Sequence, residues 1–112
     1  MIKVKKEFYK GKRKQIESYI EYKNNLKNGI SIYLFSYGEW YILAEYKNDL
    51  LHSKYYSKNI KGEIYCYLYD KGVLIKKLGF VKDKDKVNAF VKNKINPSDW
   101  LDLKSGGIEW VF

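Results

Sequence analysis

Apolar and polar residues alternate at the start of the chain. Ile2, Val4 and Phe8 fall on one side, and Lys3, Lys5, Glu7 and Tyr9 on the other, which predicts a half-buried strand. From Lys12 the period changes: Ile16, Tyr19, Ile20 and Leu26 form a stripe at helical spacing that ends at Asn28-Gly29. A glycine just past the last periodic residue is a helix-stop signal, so a helix is expected over 12–28. Ile30–Tyr37 and Trp40–Tyr46 then read as two strands of an antiparallel hairpin joined through Gly38-Glu39.

Residues 47–62 lose periodicity and gather Asn, Asp, Ser and Lys, which predicts an irregular stretch containing His52, Tyr55 and Tyr56. Ile64–Tyr69 is a clear strand, Asp70-Lys71-Gly72 supplies turn chemistry, and Val73–Phe80 returns as its partner. Val87, Phe90, Val91 and Ile95 share one face of a helix over 84–95 that Asp83 or Asp85 can cap and Asn96-Pro97 stops. Ser98–Leu103 reads as one more helical turn, and Ile108–Phe112 as a last strand.

The predicted order is β-α-β-β-β-β-α-β, a single α+β domain over 1–112 with no linker, repeat or low-complexity tract. Its antiparallel-rich sheet has about six strands, with two amphipathic helices packed on one face. The stripes Ile16/Ile20/Leu26 and Val87/Val91/Ile95 are expected to meet Ile32, Leu34, Ile64 and Leu68.

Length and composition agree with one domain. A chain of 112 residues, 46% hydrophobic and 18% aromatic, can build a core without staples. Cys66 is the one cysteine, which excludes an intrachain disulfide, and His52 the one histidine, which argues against a zinc site. No apolar stretch has the length of a bilayer span, and no apolar core follows the basic N-terminus as in a signal peptide. A soluble, cytoplasmic protein with no membrane partner is expected.

The net charge is +9, from 22 cations and 13 acids. Every cation but Arg13 is lysine, and Lys, Asn, Ile, Tyr and Phe together make up half the chain, which points to an AT-rich gene and inflates Lys and Tyr. The charge is nevertheless uneven. Residues 1–14 carry +6, 15–52 carry −2, 53–86 carry +5, and the rest balances. Two basic blocks favour an anionic partner, although charge runs also serve as plain solvated surface.

Chemical constellations are weak. Glu21-Tyr22-Lys23 and Glu45-Tyr46-Lys47 have the carboxylate-plus-lysine pattern of metal-dependent nucleases. Seven Glu among 21 Lys in 112 residues predict about 1.3 such triplets by chance, so a surface ion pair explains them. Gly29–Tyr33 with Tyr41-Ile42-Leu43 resembles the paired strands of GIY-YIG nucleases. Those enzymes need an Arg and a Glu downstream on helices, whereas Arg13 lies upstream, so the match is discarded. Cys66 could pair with His52 as nucleophile and base. Its place among Tyr65, Tyr67, Ile64 and Leu68 instead fits a buried packing residue. Gly106-Gly107 precedes a strand rather than a helix and cradles no phosphate. No catalytic residue, metal ligand or cofactor is assigned.

The most informative pattern is the separation of tyrosine from aliphatic residues along strands. Ile30, Ile32 and Leu34 oppose Tyr33, Phe35 and Tyr37, and Ile64, Cys66 and Leu68 oppose Tyr65, Tyr67 and Tyr69. Helices covering the aliphatic side would leave a Tyr-rich face edged by Lys. Such a face suits base stacking beside phosphate neutralisation, a protein interface, or pairing of two copies in a homodimer. The expected binding residues are Lys5, Lys6, Lys10, Lys12, Arg13 and Lys14 in the N-terminal block, Tyr33, Tyr37, Tyr65 and Tyr67 on the face, and Lys76 and Lys77.

Three functions are consistent with these features. The first is a small basic non-enzymatic protein of phage or mobile-element origin that inhibits a nucleoprotein target, as anti-defence proteins of the anti-CRISPR kind do; this rests on profile rather than on a site. The second is a stand-alone nucleic-acid- or nucleotide-binding module. The third is a metal-independent, toxin-type RNase using Lys and Tyr.

Overall fold

The computed structural model describes residues 2–10 and 15–95, and the backbone alone of 108–111. Seven strands follow one another: β1 (Lys3–Phe8), β2 (Ile16–Lys23), β3 (Leu26–Leu34), β4 (Trp40–Lys47), β5 (Leu50–Lys58), β6 (Ile64–Asp70) and β7 (Val73–Phe80). One helix, α1 (Lys84–Lys94), and β8 (Ile108–Val111) complete the order. All pairings are antiparallel in a single sheet ordered β7-β6-β5-β4-β3-β2-β1-β8, so each of the first seven strands lies beside its neighbour in sequence.

The α+β expectation with two helices packed on a six-stranded sheet is therefore wrong: the described residues are mostly antiparallel sheet with one short helix. Of the segment 12–28, expected as a helix, the described part from Ile16 onward is instead β2 and the start of β3, turned at Asn24-Asn25. Both asparagines have positive φ, 54° and 65°, as a two-residue type I′ hairpin requires. The irregular stretch 47–62 is likewise mostly β5, entered through an Asn48-Asp49 turn with φ 48° and 69°. Lys71-Gly72 makes the third such turn, at φ 49° and 83°. The helical turn expected at 98–103 lies outside the described residues.

A repeat is present after all. The strands β2, β4 and β6 begin at Ile16, Trp40 and Ile64, 24 positions apart each time, and all three residues are buried in the core. Each opens a hairpin whose type I′ turn lies at the same end of the sheet. The two Glu-x-Lys triplets are equivalent positions of this repeat, since each closes a strand just before its turn.

One face of the sheet is covered. Ile32, Leu34, Trp40, Leu43 and Ile64 pack with Val91 and Ile95 in the core, and Val87 borders it. The aliphatic sides of β3 and β6 thus meet α1 as expected. Leu68, opposite Lys54, is only half-buried, and Leu26 is exposed at a turn. Polar clamps fix the helix. Asp83 caps it by accepting from Lys86 N at 3.3 Å, and Trp40 Nε1–H donates to Asn88 Oδ1 at 2.9 Å.

At the other end of α1, Lys94 Nζ lies 3.2 Å from Glu21 Oε2, which also accepts from the Tyr19 hydroxyl at 2.9 Å. The second oxygen of Glu21 accepts from Ile30 N at 2.7 Å. Gly29 makes room for that carboxylate: its φ is 105°, and a Cβ there would collide with Glu21 Oε1.

Cys66 is 5% exposed on the helix-side face, opposite Tyr56, and burial pushes its thiol pKa up. Cys66→Ala is expected to cost about 1 kcal/mol in stability, as small core truncations do, with binding unchanged. Denaturant titration beside a binding assay checks this, and lost binding at unchanged stability would contradict it.

Candidate nucleic-acid interface

Residues directly opposite one another in a sheet share a face, so register defines the second surface. One cross-strand row runs Ser18, Tyr33, Ile42, Ser57, Tyr65, Phe80, and the next runs Ile20, Ser31, Ala44, Tyr55, Tyr67, Lys77. Tyr46 and Tyr69 continue this face toward the turns, as does Tyr22 opposite Lys3 and Lys27. All the described contacts of α1 are with the opposite side.

The rings form connected groups. Phe35 stacks on Tyr37 (centroids 5.3 Å apart, planes at 11°) and packs at 4.4 Å against Tyr41, which lies 6.5 Å from Tyr33. Further along the sheet, Tyr55 contacts Tyr67 at 6.2 Å and Tyr69 at 5.7 Å, while Phe80 meets Tyr65 edge-on at 5.7 Å. Between the groups, Ser18, Ile20, Ser31 and Ala44 are buried, although among the described residues no helix lies over them. Half-buried tyrosines stand beside them in the same rows, Tyr33 next to Ser18 and Tyr55 next to Ala44.

Electrostatics follow from this crowding. The pKa values of Tyr33, Tyr46 and Tyr55 are raised above the ordinary 10.0, first by burial and then by neighbouring phenols. Lys27 sits 5.1 Å from the centroid of Tyr46 and partly offsets the rise there. A tyrosine whose folded pKa is raised contributes stability that is complete below the unfolded value and is lost as pH climbs through the folded one. Melting temperature should hold up to about pH 10 and then fall, tracking phenolate absorbance. Phenolate appearing well below pH 10 would contradict the crowding.

The sequence-predicted residues divide. Tyr33, Tyr65 and Tyr67 share the aromatic face, and Tyr37, 65% exposed, extends it at the β3–β4 turn. Lys5 and Lys77 border that face, Lys5 paired with Glu7 at 3.3 Å. Lys6 and Lys76 lie on the helix side, opposite Tyr19 and Leu68, because adjacent strand residues alternate. Lys10 is exposed beyond β1, and Lys12, Arg13 and Lys14 lie outside the described residues.

Lys5 and Lys6 of β1 do not come together with Lys76 and Lys77. The strands β1 and β7 are separated by five others, roughly 29 Å at the usual strand spacing, so the basic groups stand on opposite sides of the tyrosines. Sequence reading missed Tyr22, Tyr41, Tyr46 and Tyr55 as members of this face. The paired asparagines at 24–25 and Asn48-Asp49, both hairpin turn chemistry, were the signals that could have placed Tyr22 and Tyr55 on strands.

Other arrangements offer less chemistry. Cys66 stands four residues along from His52 by way of its partner Tyr56, roughly 13 Å, so the two form no dyad. His52 Nδ1 instead lies 3.5 Å from Asp70 Oδ1. A cleft of about 820 Å³ opens between α1 and the β3–β4 turn, and two of its polar side chains, Glu39 and Asn88, are already engaged, by Lys58 and Trp40. There Lys58 Nζ is 2.9 Å from Glu39 Oε2 and 4.8 Å from the Trp40 ring centroid. Among the described residues, no three His, Cys, Asp or Glu side chains converge as a metal site, and no helix is long and apolar enough to cross a membrane. Comparison of the chain with protein-family models, curated proteins and solved structures finds no match.

Proposed function

We propose that this chain is a non-enzymatic binding protein whose aromatic sheet face takes single-stranded nucleic acid, either free or displayed by a nucleoprotein that it thereby inhibits. The observation that carries the reading is the segregation of tyrosine onto the face that α1 leaves open, in a chain of net charge +9. Bases stack on such rings at ~1–3 kcal/mol each, and lysines on either side neutralise phosphates. A duplex hides its base faces, so the surface favours unpaired strands.

Fluorescence anisotropy with labelled single-stranded RNA and DNA, and with matched duplexes, tests this across a salt series. The expected result is preference for single strands with affinity falling as salt rises. No binding at low salt, or equal binding of duplex, would overturn it. Sedimentation of the protein alone separates off a face-to-face dimer, which would bury the same rings.

A further inference from the structure

Among the described residues, β7 closes one side of the sheet and pairs only with β6. Edge strands are normally short, charged or covered, because their outer N–H and C=O groups invite another strand. Here the edge carries large apolar side chains in the open: Val73 is 62% exposed, Ile75 57%, Phe80 51%, Leu78 44% and Leu74 41%. In the middle stand Lys76 and Lys77, both exposed. The core uses none of these side chains, and so many exposed apolar residues on one edge strand mark a surface fit for a partner.

The charge pattern identifies the occupant. A second copy pairing antiparallel about the strand centre would set Lys76 and Lys77 against the same two lysines, and like charges facing across strands are destabilising. Two register shifts against β6 also break the regularity that self-pairing edges need. A foreign segment with acids at its centre and apolar residues on both sides meets the opposite conditions. We propose that β7 docks such an extended, acidic-centred segment of a partner protein. The register shifts keep any shared backbone ladder short, so the apolar side chains and the lysine pair carry the recognition. This surface shares Lys77 and Phe80 with the border of the aromatic face, and the peptide test, made without nucleic acid, reads the edge of the sheet alone.

Two synthetic peptides test the proposal, identical in an alternating Val/Thr frame except for Glu-Glu or Lys-Lys at the centre. The Glu-Glu peptide should bind at least about tenfold more tightly, with amide shifts confined to β6 and β7. The double variant Lys76→Glu/Lys77→Glu should reverse the preference, a gain for one peptide that a misfolded variant could not show. Absence of binding by the Glu-Glu peptide, equal affinity for both, or an unreversed preference would overturn it. Dimerisation of the protein alone that Ile75→Lys and Leu78→Lys abolish would also overturn it, by making a second copy the occupant.

Discussion

Ile32→Ala should lower the unfolding free energy by about 2–5 kcal/mol, whereas Tyr33→Ala, one residue along, should cost much less and weaken binding instead. Ile32 has no exposed surface, stands between Tyr19 and Leu43 in its row, and belongs to the core that α1 closes. Its truncation leaves a cavity that the strand backbone cannot collapse to fill. Tyr33 points the other way, half-buried among Tyr41 and its neighbours, and its loss removes packing at a solvated surface. Denaturant titrations of both variants, read beside the binding assay, check the pair. A larger stability loss for Tyr33→Ala would mean that the register is displaced by one residue, which exchanges the two faces.

Removal of Tyr55 and Tyr67 together should weaken single-strand binding by roughly tenfold to a hundredfold for each base left without a ring. The two rings lie 6.2 Å apart on β5 and β6, beside Lys77 of β7, so a strand that reaches this basic side across the open face passes over them. Stacking releases no counterions, and the slope of affinity against salt should hardly change. Charge reversal at Lys5, Lys10, Lys12, Arg13 and Lys14 should have the complementary signature. Affinity drops for all sequences, and the slope flattens by about one for each phosphate that is no longer neutralised. If binding survives both sets of substitutions, the aromatic face is not the site.

The strands that read clearly in the sequence are those with one wet face. In β3 and β6 the alternation of aliphatic and tyrosine residues revealed both the strand and the side that α1 covers. The strand β2 hid because it is buried on both sides: Ile16 and Tyr19 face the helix-side core while Ser18 and Ile20 are buried on the other face. With alternation erased, Ile16, Tyr19, Ile20 and Leu26 imitate a helical stripe, although Leu26 lies beyond the turn and is exposed. The strand β5 hid for a different reason. Three residues, His52 to Lys54, stand against Glu45 alone, and Ser53 takes a φ of 70°, so the period of two breaks in mid-strand. Half of the tyrosine face was therefore visible and half was not, because Tyr55 belongs to that broken strand and Tyr22 to the doubly buried one.

The 24-residue spacing of Ile16, Trp40 and Ile64 makes the sheet quasi-one-dimensional, since each hairpin touches chiefly the hairpins beside it. Two strands per unit restore the original strand direction, so a copied unit keeps the antiparallel alternation and leaves both faces on their own sides. Duplicating residues 40–63 in place should then give a longer sheet, wider by roughly 9–10 Å, with one more Trp-led hairpin and a second set of Tyr41 and Tyr46 on the open face. In such a molecule the number of rings offered to a ligand grows in whole units with the length of the chain.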